Sequence, residues 1–133
     1  MLKSMPRGDN INRRKGMQNI FDSDGNNRIC NERVVCFNIS RTWQNRERAD
    51  LYECTRKYWR LNGARARHAD LVFAVCQGVV IGVFKPHSWY RTQCAKYAGR
   101  WEFEGEQLVN SSYLNLSLIE MRRRQNPVMY INL

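Results

Sequence analysis

Runs of apolar residues separated by polar turns predict a set of short β-strands. The segment "RVVCFNIS", residues 33–40, is rich in β-branched and aromatic side chains, as strands are. "LVFAVC" (71–76) and "VVIGVF" (79–84) follow later, with only Gln77 and Gly78 between them. A connection of this length predicts a tight hairpin turn. Because both faces of the two strands are apolar, we expect the hairpin to lie at the centre of the fold.

A helical period occupies the segment between the first strand and the hairpin. Apolar residues recur at helical spacing from Leu51 to Leu61, which predicts one main helix. We expect Asn45 to cap the N-terminus of this helix and the Asn62-Gly63 pair to end it.

Two further strands are predicted after the hairpin. "RWEFEG" (100–105) alternates in polarity, which predicts a strand with its aromatic residues inward and with Glu102 and Glu104 outward. "PVMYINL" (127–133) predicts a closing strand, preceded by a short basic helical turn. The order of strand, helix, hairpin, strand, short helix and strand is typical of an α+β domain. We expect a curved, mostly antiparallel sheet or a partly open β-barrel.

The length of 133 residues suits one domain. Residues 1–28 are polar and predict a flexible basic arm, so that residues 29–133 form the single folded domain. The five cysteines are odd in number and lack CxxC or Cys–His spacing, so the sequence predicts neither a disulfide framework nor a zinc site. No signal-like or membrane-length apolar run occurs, so we expect a cytoplasmic protein without a membrane partner.

The charge balance indicates a polyanionic partner. Lys and Arg total 22 against 12 Asp and Glu, a formal charge of +10. A small domain this basic is typical of proteins that bind DNA or RNA. The predicted nucleic-acid-binding cations lie in clusters along the chain. They are Arg41, Arg46, Arg56, Lys57, Arg60, Arg65, Arg67, Lys85, Arg91, Arg122, Arg123 and Arg124.

Four tryptophans add a second signal, because a base can stack on an indole ring. Polar side chains near the first strand could then bond to base edges. The segment "KPHSWYR" (85–91) is interpreted as a loop that the hairpin presents. Trp59 and Trp101 are more readily explained as core residues than as pocket residues. The predicted base pocket comprises Asn38, Ser40, Trp43, Trp89, Tyr90 and Trp101.

Three segments in succession carry a family resemblance. "TRKYWRL", then "LVFAVCQGVVIGVFKPHSWY", then "RWEFEG" resemble the PUA-like group of small β-barrel domains, nearest to its EVE, YTH and ASCH branches. The end of the chain, "QNPVMYIN", is similar to segments of small uncharacterised bacterial and phage proteins. The resemblance covers residues 33–133. It implies a reader of nucleic acid or of a modified base, with an aromatic-walled pocket on the barrel.

Other functions stay open at this stage. The same pocket could sequester a free nucleotide signal, as phage counter-defence proteins do. The basic face could instead inhibit an acidic protein partner. Glu102 and Glu104 could hold a metal in a metal-dependent nuclease, but no nucleophile motif occurs and His68 and His87 are isolated. We therefore expect non-catalytic binding of nucleic acid, with no cofactor and no resident metal.

Overall fold

A five-stranded mixed sheet organises the chain. The computed structural model describes residues 18–21, 27–123 and 125–133. The sheet has the order β6-β5-β4-β3-β7, and a separate hairpin is formed by β1 and β2. The strands are β1 (Gln18–Phe21), β2 (Asn27–Cys30), β3 (Val34–Asn38), β4 (Leu71–Cys76), β5 (Val79–Arg91), β6 (Trp101–Gln107) and β7 (Val128–Ile131).

The helices are short, and the prediction of one main helix is wrong. They are α1 (Ser40–Gln44), α2 (Leu51–Arg56), α3 (Gly63–Ala66) and α4 (Ile119–Arg123), with a 3-10 turn at Ala95–Tyr97. Asn45 ends α1 instead of capping a helix. The side chain of Asp50 caps α2 by accepting a hydrogen bond from the Glu53 backbone N–H. After Arg56 the backbone becomes extended at Lys57, so the helical pattern stops there.

The connections between strands make the fold α+β, as expected. Strand β3 pairs in parallel with β4, and the three short helices α1, α2 and α3 cross between them. The other pairings in the sheet, β3 with β7, β4 with β5 and β5 with β6, are antiparallel. Among the described strands β6 and β7 remain at opposite edges, so the sheet is not closed into a barrel.

The predicted hairpin turn is confirmed. Gln77 and Gly78 both have positive φ, 53° and 79°, as a tight turn between antiparallel strands requires. A Cβ added at Gly78 would also collide with the side chain of Arg122, which packs over the turn. A glycine is therefore needed here both for its backbone angle and for its size.

The interpretation of "KPHSWYR" as a loop is wrong, because β5 continues through it to Arg91. Strand β4 pairs with β5 only as far as Phe84, and beyond that residue β5 pairs with β6. Pro86 lies beyond the end of the pairing with β4, at a point where the register with β6 shifts between Pro86 and Ser88. The missing N–H of proline is tolerated at such an irregular position. A side chain at Gly105, opposite Pro86, would collide with the backbone of β5.

The sheet buries both of its faces. Val34, Cys36 and Phe73 belong to a core cluster that also contains Leu118 and Met121, so this face is covered by the chain around α4. The other face has its own, separate cluster. It contains Val35, Phe37, Val72, Ala74, Phe84, Trp89 and Phe103 together with Cys54 of α2 and Ala66 of α3. The predicted central position of the β4–β5 hairpin follows from this double coverage.

Part of the predicted N-terminal arm lies outside the described residues. Residues 1–17 and 22–26 are not described, whereas β1 and β2 pair from Gln18 opposite Cys30 to Phe21 opposite Asn27. The side chain of Asn132 joins the end of β2 to the sheet by donating to the carbonyls of Cys30 and Glu32. Within the described residues no helix is long and apolar enough to cross a membrane.

Candidate nucleic-acid interface

The chain after α2 extends the edge of β6. The Trp59 N–H donates to the Trp101 carbonyl at 2.9 Å, and the Trp101 N–H donates to the Trp59 carbonyl at 2.8 Å. The Trp59 indole N–H donates to the Thr55 carbonyl of α2 at 2.8 Å, and its ring stacks on Phe37 with centroids 4.2 Å apart. This short ladder fixes residues 58–60 beside the start of β6.

Trp101 carries two arginines over its ring. The guanidinium carbon of Arg91 lies 5.0 Å from the ring centroid, and that of Arg67 lies 5.8 Å from it. Arg91 also donates to the Gly99 carbonyl at 3.4 Å. The indole packs so closely on Gly63 that a Cβ there would collide with it. The strand β6, the helix α3 and the end of β5 therefore meet at this ring.

A second pair of aromatic residues lies close in sequence to Trp59 and Trp101. The rings of Tyr58 and Tyr97 stack at 4.3 Å between centroids with an angle of 15° between their planes. Four cations lie over these two rings at distances of 5.1 to 5.5 Å from a centroid. They are Arg48 and Lys57 over Tyr58, and Lys96 and Arg100 over Tyr97.

We refer to these two groups together as the cation–aromatic face, because both are held at the start of β6. Tyr58 precedes Trp59 and Arg100 precedes Trp101, so the ladder between Trp59 and Trp101 joins the two aromatic groups. Each cation has an attractive ring beneath it, an interaction of about 0.5–1 kcal/mol at exposed sites. The members of the face are Arg48, Lys57, Tyr58, Arg67, Arg91, Lys96, Tyr97, Arg100 and Trp101.

The positive charge of this face is largely uncompensated. Lys57 pairs with Glu53 at 3.0 Å, and the hydrogen bond to that carboxylate raises the pKa of Lys57. The other five cations have no carboxylate within 4.0 Å in the described part of the chain. Two other carboxylates of the fold, Asp70 and Glu102, pair with Arg33 and Arg56.

Arg56 was predicted to bind nucleic acid, but its side chain is turned into the protein. Its Nη2 lies 2.8 Å from Glu102 Oε1 and donates to the Tyr90 hydroxyl at 2.6 Å, while its Nε donates to the Phe103 carbonyl at 2.9 Å. Burial raises the pKa of Tyr90 to about 12; Arg56 opposes this rise, and Glu102 adds to it. The group joins α2 to β5 and β6.

The two glutamates of β6 take part in the same network. Both side chains lie on the side of β6 away from Phe103, as predicted, but Glu102 is only 8% exposed whereas Glu104 is exposed. Both carboxylates lie within hydrogen-bonding distance of the Tyr90 hydroxyl, at 3.1 and 3.2 Å. Arg56 already compensates Glu102, as a buried carboxylate requires. No group of three or more His, Cys, Asp or Glu suited to a metal occurs among the residues that the structure describes.

The residues of the predicted base pocket lie in three different settings. Asn38 accepts hydrogen bonds from the backbone and hydroxyl of Ser40, whose hydroxyl in turn accepts from the Gln77 N–H at 2.8 Å. These groups secure the start of α1 against the hairpin turn. Trp43 lies on α1 under Arg46, at 5.1 Å. In the described part of the chain, no hydrogen bond or ring contact links these residues to Trp89, Tyr90 or Trp101.

Trp89 belongs to the core instead of an open surface. It is 7% exposed and packs against Phe37 and Phe103, with centroids 6.2 and 5.0 Å away. Its indole N–H is buried and has no hydrogen-bond partner among the residues that the structure describes.

The remaining predicted cations are dispersed. Arg65 stacks over Tyr130 at 3.9 Å and donates to the Leu133 carbonyl, which fixes α3 to β7. Arg122 lies on α4, which packs on the other side of the sheet from α2. Arg41, Arg60 and Lys85 are exposed. Arg124 and the side chain of Arg123 lie outside the described residues.

Sequence reasoning missed five members of the cation–aromatic face. They are Arg48, Tyr58, Lys96, Tyr97 and Arg100. The available signal was local: "RKYW", "AKY" and "GRW" each place a cation beside an aromatic residue. Neighbouring residues on a chain do not reveal which rings stack, because Tyr58 and Tyr97 meet only after β5 and β6 have formed.

Comparison with known proteins adds no family to this picture. No protein-family model, curated protein sequence or solved structure matches the chain.

Proposed function

We propose that this protein binds nucleic acid without catalysing a reaction, and that the cation–aromatic face makes the contact. The observation that carries the proposal is the set of five cations over Tyr58, Tyr97 and Trp101, which have no carboxylate partner among the residues that the structure describes. Such an arrangement leaves the charge available to an external anion. The formal charge of +10 adds a long-range attraction to polyanions.

The ring contacts should lower the entropy that these cations lose when they bind phosphate. A free arginine side chain loses rotamer freedom when it binds, at about 0.5–1.5 kcal/mol for each immobilised side chain. Arg67 and Arg91 have already lost part of that freedom against Trp101. The planar guanidinium then presents paired donors that match phosphate oxygens.

Membership of the PUA-like group is part of the proposal. It is supported by the five-stranded sheet of an α+β fold, the helical crossover after β3, the central β4–β5 hairpin and the tryptophan at the start of β6. A base pocket of the PUA-like kind would require Trp89 to become accessible, since its ring is buried between Phe37 and Phe103.

Fluorescence anisotropy with labelled DNA and RNA, repeated across a salt series, tests the proposal. Affinity should fall with salt along a log–log slope of about −0.9 for each phosphate contacted in a duplex. The double variant Arg67→Ala/Arg91→Ala should weaken binding and make that slope shallower by about two such contacts.

The variant Arg122→Ala is the matched control for this experiment. It removes the same kind of charge from α4, which packs on the other side of the sheet. We expect it to retain nearly the parental affinity and slope. The proposal fails if no nucleic acid binds at low salt, or if Arg122→Ala alone weakens binding as much as Arg67→Ala/Arg91→Ala does.

A further inference from the structure

We infer that the cation–aromatic face recognises the phosphodiester backbone and not the bases, so that it binds duplexes at least as tightly as single strands. This inference rests on the proposed function and specifies its ligand. It depends on which surfaces of the aromatic rings are already in contact with the protein.

Tyr58 and Tyr97 have little ring surface left for a base. Each covers one face of the other in the stack at 4.3 Å. Arg48 and Lys57 lie 5.2 and 5.3 Å from the Tyr58 centroid, and Tyr97 has its own two cations at 5.1 and 5.5 Å. A base that stacked here would have to displace these cations and lose their contribution.

The indole rings of the neighbouring ladder are similarly occupied. Trp59 stacks face to face on Phe37, with an angle of 2° between the rings. Trp101 packs on Gly63 and carries Arg67 and Arg91. Rings that already have a partner act as supports for cations, whereas a stacking platform must offer a free face.

The groups that could read a base edge lie away from this face or are engaged. The Asn38 amide oxygen and the Ser40 hydroxyl are bonded to each other and to the hairpin turn. The Tyr90 hydroxyl is bonded to Arg56 and Glu102. The charged groups that the face offers to a ligand are guanidinium and ammonium donors. A contact between such a donor and a phosphate oxygen carries no sequence information.

Recognition of this kind makes affinity follow the density of phosphates. A duplex carries about one charge per 1.7 Å of its axis, twice the density of one of its strands. A stacking site behaves in the opposite way, because the faces of bases inside a duplex are covered by their neighbours. The preference between duplex and single strand thus separates the two modes of binding.

The test compares three labelled DNA probes of equal length, about 20 nucleotides, which exceeds the span of one small domain. The probes are a mixed-sequence single strand, its duplex, and a single strand in which every nucleotide is replaced by an abasic tetrahydrofuran unit. The abasic probe keeps all the phosphates. We expect it to bind within about 3-fold of the intact single strand, because loss of one stacked base alone would weaken binding about 5-fold or more.

The outcomes separate the inference from the proposed function. Binding of the duplex and of the abasic strand, both weakened by Arg67→Ala/Arg91→Ala, supports the inference. Binding of the intact single strand with strong loss on the abasic strand or on the duplex overturns the inference and leaves the proposed function intact. Failure of all three DNA probes, and of RNA in the salt series above, to bind at low salt overturns both.

Discussion

Arg56 and Glu102 form an ion pair with 2.8 Å between Nη2 and Oε1, and their side chains are only 11% and 10% exposed. The pair links α2 to β6 at the edge of the sheet. On the same edge the Gly105 N–H donates to the Tyr52 hydroxyl, and Phe103 accepts from Arg56. Side chains of α2 thus bind the edge of β6 that another chain could otherwise pair with.

Removing one partner of this ion pair should strongly destabilise the fold. We expect Arg56→Ala to lower the free energy of unfolding by about 3–5 kcal/mol, because it leaves Glu102 buried without compensation. Arg56→Met with Glu102→Leu should cost less than the sum of the two single changes. Urea denaturation of the parent, of Arg56→Ala, of Arg56→Met, of Glu102→Leu and of the double variant measures both effects.

The pair between Arg33 and Asp70 is the control for this prediction. Its nitrogen–oxygen distance is 3.2 Å, but the two side chains are 43% and 42% exposed. We expect Arg33→Ala to cost less than about 1 kcal/mol, since solvent screens an exposed pair. Equal losses for Arg33→Ala and Arg56→Ala would show that burial of the Arg56 pair has no energetic consequence.

Stability should decrease in alkaline solution because of Tyr90. Its pKa is raised from 10.0 to about 12 in the folded protein, so the folded state holds this proton where the unfolded state has lost it. The contribution is complete below pH 10 and is lost between pH 10 and about 12. Tyr113, which donates to Glu32 and has a raised pKa, acts in the same direction.

The variant Tyr90→Phe isolates the part due to Tyr90. Its free energy of unfolding should fall less than that of the parent between about pH 9 and about pH 11, because it has no phenol to ionise at this position. Chemical denaturation at the two pH values measures the difference. An unchanged pH dependence would assign the alkaline loss to other tyrosines.

The tyrosine stack should affect binding without a change in charge. We expect Tyr97→Leu to weaken nucleic-acid binding several-fold, because Lys96 and Arg100 lose the ring that supports them. The slope with salt should stay close to that of the parent, since the number of cations is the same. Tyr113→Leu, on the other side of the sheet, is the control, and anisotropy titrations measure the affinity of both variants. An equal loss of affinity in the two variants would argue against a specific role of the stack.

Gly63 should be required for the position of Trp101. Gly63→Ala places a methyl group against the indole, which must move and take Arg67 and Arg91 with it. We expect destabilisation of about 1–3 kcal/mol, as for other overpacked sites, together with weaker binding. Retention of both stability and affinity in Gly63→Ala would contradict the tight contact.

Local chemistry was enough to predict most of the sheet. The β-branched and aromatic runs at 34–38, 71–76 and 79–84 became strands, as did the alternating segment from Trp101 and the closing segment at 128–131. Gln77-Gly78 could be recognised because few residue pairs accept positive φ in a two-residue turn. These features depend on neighbouring residues, so the sequence by itself determined them.

Tertiary structure decided where the helices end and which charged and aromatic side chains come into contact. The period from Leu51 to Leu61 fits a helix, yet the chain leaves α2 at Lys57 because Trp59 gains a strand partner in Trp101. Glu102 alternates like a surface residue but is buried because Arg56 reaches it from α2. Tyr58 and Tyr97 are distant in sequence and stack only when β5 and β6 bring them together. The positive charge and the aromatic residues were determined by the sequence, whereas their arrangement as cations supported on rings depends on long-range pairing that no local pattern contains.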